Sequence, residues 1–518
     1  MALRPQQMPR CFVQSFALIC RSRVGRRPSS RAMAAGQQGR LPKVLTVKLV
    51  NAIALGAAGT LAACTVGPNY QAPTAERLDV PADYHGRVAG DGSGVVDLKG
   101  WWRTFRQPLL DRLIAQAIDR SPSVAVGVAR LRQSRALLGA AEAERRPSLS
   151  ATGGSRAHWG NTPTDRTAVN GAGEANWEAD LFGGRARDIE AAQADFQAAG
   201  YDLQSISVSL AAEVATNYVS AANARVRKEI AQQSLRTQDE VLQIARWRSA
   251  AGLVSSLDVE QATVQRALTA AMIPALDAAL ARSLHRIAAL IGESPAAVHV
   301  LFSSEHYIPV ASDHIAIGIP ADTLVQRPDI RRAERHLAAT TARIGSAEAR
   351  LYPALRLSGN IGSAALSVGA LGDVLVGALV ASVTAPLLDG GRIRQQIAIR
   401  TAEQEGAFAR YRQVVMTALE EVENALATGH AARQRQAILT VAVEAARNAA
   451  TLGRMRYATG ATDFVTLLEA ERSLLSARGE MADATAERAA ALIQLYRALG
   501  GGWQPIDPVK LTSKQGTP

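Results

Sequence analysis

Past residue 64 the sequence has no cysteine, its three thiols being Cys11, Cys20 and Cys64. A segment without thiols has no disulfide framework, no cysteine metal site and no cysteine nucleophile. Acidic residues are missing from the first 63 positions, which hold ten Lys and Arg. The formal charge of +12 therefore belongs to that leader, and the remainder carries 48 basic against 46 acidic residues. A nearly neutral chain offers no phosphate-binding footprint, so nucleic acid is not an expected partner. Beyond the leader no run of about 18 apolar residues occurs, which argues against a helical membrane span. The eight histidines show no H-E-x-x-H spacing, and neither a P-loop nor a G-x-S-x-G elbow is present. An enzyme is not expected, and neither is a metal or a cofactor.

What is present starts with a secretion signal. Arg40, Lys43 and Lys48 precede an apolar run from Leu49 to Ala63, and the small-residue cleavage site reads Leu61-Ala62-Ala63-Cys64. This resembles a bacterial lipoprotein box, which implies lipidation of Cys64. Acyl chains would hold the N-terminus at a membrane without a spanning helix. The long stretch before Met33 reads as an extended leader or a mis-assigned start. Residues 1–63 form the leader, 64–100 a Gly/Pro-containing linker, and 504–518 a tail.

Between them the chain repeats itself. Ser121-Pro122-Ser123-Val124 recurs as Arg327-Pro328-Asp329-Ile330, 206 positions on, and Glu142 and Pro147 recur as Glu348 and Pro353. Gly183-Gly184-Arg185 recurs as Gly390-Gly391-Arg392 at 207, and Gly252 and Gly292 recur as Gly460 and Gly500 at 208. A drift of two residues is what a duplicated unit with small indels shows. The copies span 101–300 and 301–503.

Each copy has a helix ending before its proline, then a Gly/Ser-rich stretch read as two strands. Gly173, Ala175, Trp177, Ala179 and Leu181 alternate with Glu174, Asn176, Glu178 and Asp180. That is the period-two pattern of a membrane barrel strand, and equally of an amphipathic strand in a soluble sandwich. The strand near Val374–Leu387 is apolar on both faces, so its orientation stays open. From Arg185 to about Arg248 there is no proline, and Ile189, Ala192, Phe196, Ala199, Leu203, Ile206 and Leu210 follow a 3-4 seam. Such a helix measures roughly 95 Å, far beyond the ~30 Å hydrocarbon core. It must project out of the membrane. A second long helix runs from Arg392 to about Arg456, and return helices span Ser256–Ile291 and Asp463–Leu499. Pro274 is expected to bend or divide its helix. Two strand pairs cannot close a barrel, and an open edge is not tolerated in hydrocarbon, so the strand reading demands a homo-oligomer.

At the far end of the helices lie two similar turns, Arg246–Ala262 and Arg454–Ala470. Gly252 and Gly460 stand where a helix C-terminus favours left-handed geometry. Ser255 and Asp463 follow as N-caps, and Ser255-x-x-Asp258 reads as a capping box.

Cys64-Thr65-Val66-Gly67-Pro68-Asn69-Tyr70, Trp101-Trp102-x-x-Phe105, and Gln326-Arg327-Pro328-Asp329-Ile330-Arg331-Arg332-Ala333-Glu334 through Ala342-x-Ile344-Gly345 resemble the outer-membrane efflux lipoproteins of the NodT and OprM type, relatives of TolC. The resemblance covers about Cys64 to Trp503. It implies a mainly helical, TolC-like trimer in which each subunit gives four strands to a shared outer-membrane β-barrel, continued by a long α-helical barrel through the periplasm. It also implies a periplasmic adaptor and an inner-membrane RND-type pump as partners, expelling small toxic compounds. Relatives meet the adaptor at the hairpin turns, which places that contact at Gly252, Leu253, Val254 and Ser255, with Gly460 and Ala461 on the second turn. Relatives also close the periplasmic end through an Asp after the first turn and a Tyr before the second, here Asp258 and Tyr457. The acidic ring of TolC maps onto Thr466 and Glu469. Thr466 stands where TolC has Asp, which leaves Glu469 as the main carrier of charge. Thr65 is not the Asp that retains some lipoproteins in the inner membrane. Two other readings stand beside this one, a conduit for type I protein export and a periplasmic coiled-coil adaptor lipoprotein.

Overall fold

The computed structural model describes residues 65–86, 98–157, 159, 167–302, 307–310, 326–366 and 368–503. Cys64, the leader and the 504–518 tail lie outside the described residues. The described helices are α1 (Pro108–Arg120), α2 (Pro122–Ala143), α3 (Gly184–Ala250), α4 (Ser256–Ile291), α5 (Pro295–Leu301), α6 (Pro328–Ala349), α7 (Arg392–Ala458) and α8 (Phe464–Ala498). Strands β1 (Ser148–Ala157), β2 (Thr167–Ala179), β3 (Ala354–Ala365) and β4 (Val376–Thr384) form one antiparallel sheet in that order.

The element order of the first copy, helix, two strands, long helix and return helix, recurs in the second. Pro122 and Pro328 open α2 and α6 at the first helical position, where a missing N–H costs nothing. Gly183, Gly390 and Gly391 have φ of +76°, +65° and +86°, which lets each strand end turn directly into a long helix.

Register assigns the sheet's faces. Asn176 pairs with Ser148 and Ser358, Glu174 with Ser150 and Asn360, and Glu178 with Arg356. Leu149, Ala175, Gly359 and Leu379 line up on the other face, as do Trp177, Leu357 and Ala381. The orientation of β4, ambiguous from its composition, follows: Leu379, Ala381 and Val383 share the apolar face, and Ser382 and Thr384 the polar one. β1 and β4 are the edges of the described sheet.

Helices α3 and α7 each run 67 residues, about 100 Å. α4 packs along α3, and α8 along α7. The predicted α3 seam is only partly right: Leu203 and Leu210 are buried, whereas Ile189, Ala192, Phe196, Ala199 and Ile206 are half-buried. α2 and α6 both lie against α3, so its contact surface is wider than one stripe. Pro274 does not divide its helix, since α4 continues through it from Ser256 to Ile291. Packing along α3 and the Lys228–Asp277 ion pair at 2.5 Å hold the turn beside it. By length and composition α4 could cross a membrane, with a window of mean hydropathy 1.3. Its place is the return helix behind α3.

The main core sits halfway along α3. Trp101, Phe105, Leu110, Leu113 and Ile114 pack on Val214, Tyr218, Leu284, Ile287 and Phe302. Burial of each such side chain contributes about 1.5–3 kcal/mol. The segment after Cys64 docks near the sheet. The Val66 N–H donates to the Phe182 carbonyl at 3.1 Å, and buried Arg187 donates to the Val66 and Gly67 carbonyls and to Asn69 Oδ1. Gly67 (φ +92°) lies so close to Gly345 that a Cβ would fall 2.3 Å from its Cα. Farther along, the Tyr70 hydroxyl donates to Glu334 at 2.6 Å, and the His85 and Gly86 N–H groups donate to Glu423.

Candidate functional site

Both turns at the distal helix ends close in the same way. After α3, Gly252 (φ +71°) donates its N–H to Ser249 and Leu253 donates to Arg248 at 2.8 Å. After α7, Gly460 (φ +73°) donates to Tyr457 and Ala461 to Arg456 at 2.8 Å. These paired bonds are the Schellman arrangement, which satisfies the last helical carbonyls. A Cβ at either glycine would meet open space, so glycine serves the backbone angle there rather than close packing.

The helix starts differ. Asp463 Oδ1 accepts the Thr466 N–H at 2.7 Å, and that bond holds its carboxyl below the usual range. Ser255 occupies the N-cap position of α4 with no side-chain cap bond. The predicted capping box is therefore not formed, and Asp258 is linked to Ser255 only through backbone, its N–H to the Ser255 carbonyl at 3.2 Å.

Leu253 is exposed (73%), as are Gly252, Ser255, Gly460 and Ala461, while Val254 is half-buried. Together they present a small-residue surface with one apolar projection. Tyr457 is buried in a cluster of Leu242, Ala245, Ala262, Phe464 and Leu467, which joins both hairpins into one packed unit. The Arg248 guanidinium lies 4.5 Å from the Tyr457 ring centroid and donates to the Ala458 carbonyl at 3.0 Å. The Tyr457 hydroxyl is enclosed without a hydrogen-bond partner among the described residues. Asp258 is half-buried, and among the described residues no hydrogen bond brings it to Tyr457. Thr466 and Glu469 are exposed and three residues apart, hence on one side of α8.

Two features escaped the sequence reading. One is Arg248, which ties the first hairpin to the second. The other is Glu471, 6% exposed, whose Oε1 lies 3.1 Å from Arg454 Nε. Burial raises its carboxyl above the usual range, against the lowering charges of Arg454 and Arg478. Its signal was available: Phe464, Leu467, Glu471 and Leu474 follow a 3-4-3 stripe, with an acid where an apolar residue belongs.

A sheet with one polar and one apolar face, joined to helices about 100 Å long that end in paired turns, is the geometry of a membrane-seated duct. The family model described as "Outer membrane efflux protein" matches residues 113–293 and 319–501. The chain belongs to this family. Among outer membrane efflux proteins it is 31% identical over 460 residues to Nodulation protein T of Rhizobium leguminosarum bv. trifolii, covering 86% of this chain and 96% of the relative. It is 31% identical over 456 residues to the pyoverdine export outer membrane protein OpmQ of Pseudomonas aeruginosa, covering 86% and 95%. The solved outer-membrane channel OprN superposes with a TM-score of 0.78 at 35% identity, over 85% of this chain and all of OprN. The fold is thus TolC-like, and the chain is an efflux channel subunit of the outer membrane that extends into the periplasm. Its relatives are channel proteins rather than enzymes.

Proposed function

We propose that three copies close one β-barrel and one helical barrel, forming a passive exit duct for small toxic compounds. A periplasmic adaptor and an inner-membrane RND-type pump would load it from the tip end. The observation that carries this reading is the placement of β1 and β4 as edges of an amphipathic four-stranded sheet, which in hydrocarbon must be covered by further copies. Lipid on Cys64 would add an anchor at the same membrane.

At the other end, Gly252, Leu253, Val254, Ser255, Gly460 and Ala461 form the adaptor contact, exposed apart from half-buried Val254. Glu469, with Thr466 beside it, supplies the threefold acidic ring, and a ring of carboxylates at a constriction selects cations. Tyr457 and Asp258 hold the closed state. A buried hydroxyl left unpaired costs about 1–3 kcal/mol, so a small loosening that offers the Tyr457 hydroxyl an acceptor on a neighbouring copy is favoured. Opening would then trade links between copies for adaptor contacts.

The test is single-channel recording in planar bilayers. Tyr457→Phe combined with Asp258→Ala should raise the resting conductance several-fold, and an unchanged closed-state current would remove both residues from the gate.

A further inference from the structure

At the base of the sheet, where strands turn into helices, a cavity of about 500 Å3 opens beneath the polar face. Glu178, Arg356 and Thr384 reach it from that face, so in the channel proposed above, on which this inference rests, it belongs to the lumen. The internal duplication provides a control for its charges. In the first repeat, Glu144 ends α2 and Arg185 begins α3, and they form an ion pair at 2.5 Å. In the second repeat the equivalent places, at offsets of 206 and 207, hold Arg350 at the end of α6 and Arg392 at the start of α7. A salt bridge has been replaced by two like charges, and both line the cavity.

Neither guanidinium forms an ion pair with a carboxylate among the described residues. The other lining charges are largely committed. Arg356 Nε meets Glu178 at 3.1 Å, and the Asp180 carboxylate accepts the backbone N–H groups of Arg185 and Ala186 at 3.2 and 2.8 Å. Asp188 is the remaining acid, one carboxylate against two arginines. One wall is aromatic, with the Tyr352 ring stacked on Phe182 at 4.7 Å.

We propose that this cavity is a binding site for carboxylate-rich small anions at the neck between the two barrels, held by Arg350 and Arg392. Guanidinium groups present planar forks that match carboxylates two bonds at a time. Asp389, three residues before Arg392, offsets part of that charge but spends its carboxylate oxygens on the Gly391 and Ile393 N–H groups, and an anion in the cavity would meet both guanidinium groups. Three copies would set six such groups around the neck, opposite in sign to the acidic tip, so the duct carries two charged stations of opposite polarity.

Citrate is the probe. Titration calorimetry on the detergent-solubilised full chain at low salt should show binding that weakens about tenfold, or about 1.4 kcal/mol, in both R350Q/R392Q and R350E. R350E rebuilds in the second repeat the ion pair of the first, so it should keep the wild-type thermal midpoint and oligomer while losing citrate. No heat with the wild-type chain, or heat from both variants as large as the wild type's, would overturn the site. So would loss of the oligomer in both variants, since the arginines would then pair with a neighbouring copy. In bilayers, citrate on the barrel side should interrupt the wild-type current and leave that of R350E steady. Calorimetric binding without any conductance would sink the channel reading and leave the site; steady conductance without citrate binding would do the reverse.

Discussion

Helix α6 begins beside a buried arginine where α2 begins beside a buried serine. Arg327 donates Nε and Nη2 to Asp329 at 3.0 and 2.6 Å, Nη2 also to Glu421 at 2.8 Å, and Nη1 to the Ala498 carbonyl at 2.6 Å. It therefore caps the end of α8 and binds α6 to α7. At the equivalent place, Ser121 is buried with its hydroxyl unpartnered among the described residues, and its N–H donates to the carbonyl of Ala117, which lies in the apolar core under α1. At this one position the duplicated frame carries a buried charge in one half and none in the other, while elsewhere both halves have ion pairs and apolar clusters. Sharing a backbone plan does not oblige two repeats to share their means of stabilisation.

The comparison breaks most sharply at that position. Arg327→Met should destabilise the chain by about 2–3 kcal/mol, because it takes the buried guanidinium from Asp329 and the Ala498 carbonyl and leaves Glu421 only Arg497 at 3.6 Å, whereas Ser121→Ala should be neutral or slightly stabilising. Denaturant midpoints of the two variants measure the difference. Acid should sharpen the same contrast. Burial disfavours the Asp329 carboxylate, but the Arg327 hydrogen bonds and charge outweigh it and hold its pKa below the usual range. A depressed folded pKa contributes stability that is present above the unfolded value and lost as pH falls through the folded one. The wild type should accordingly lose thermal stability on acidification more steeply than Arg327→Met, as a melting series against pH would show. The smallest effect lies at the tips. Asp463→Ala should lower the protection of the first turn of α8 through the lost cap and Ser255→Ala should leave that of α4 unchanged, both read by hydrogen exchange.

Much of this frame was legible. Fixed offsets between prolines and glycines revealed the duplication, since those residues mark helix starts and left-handed turns whatever surrounds them. Asp463 could be read as a cap because its partner is three residues away. Features depending on distant partners could not be read. Nothing local links Arg327 to Ala498, or Arg248 to Tyr457. β4 shows no alternation, and only its pairing with β3 orients it. Ser255 matched a capping pattern, but its side chain makes no cap bond. At the candidate gate, the sequence located the turns and the exposed acid Glu469. It did not foresee that Tyr457 would be enclosed beneath Arg248, or that Glu471 would be a buried charge behind them.

The strap from Val66 to Gly86 also has a meaning in time. Its first contacts are Phe182 and Arg187 in the first repeat, and its next are Gly345, Glu334 and Glu423 in the second. Synthesis delivers the strap before any of them. The earliest-made part of this fold can therefore begin to seat on the first repeat, but it completes its contacts only once the second repeat has been made.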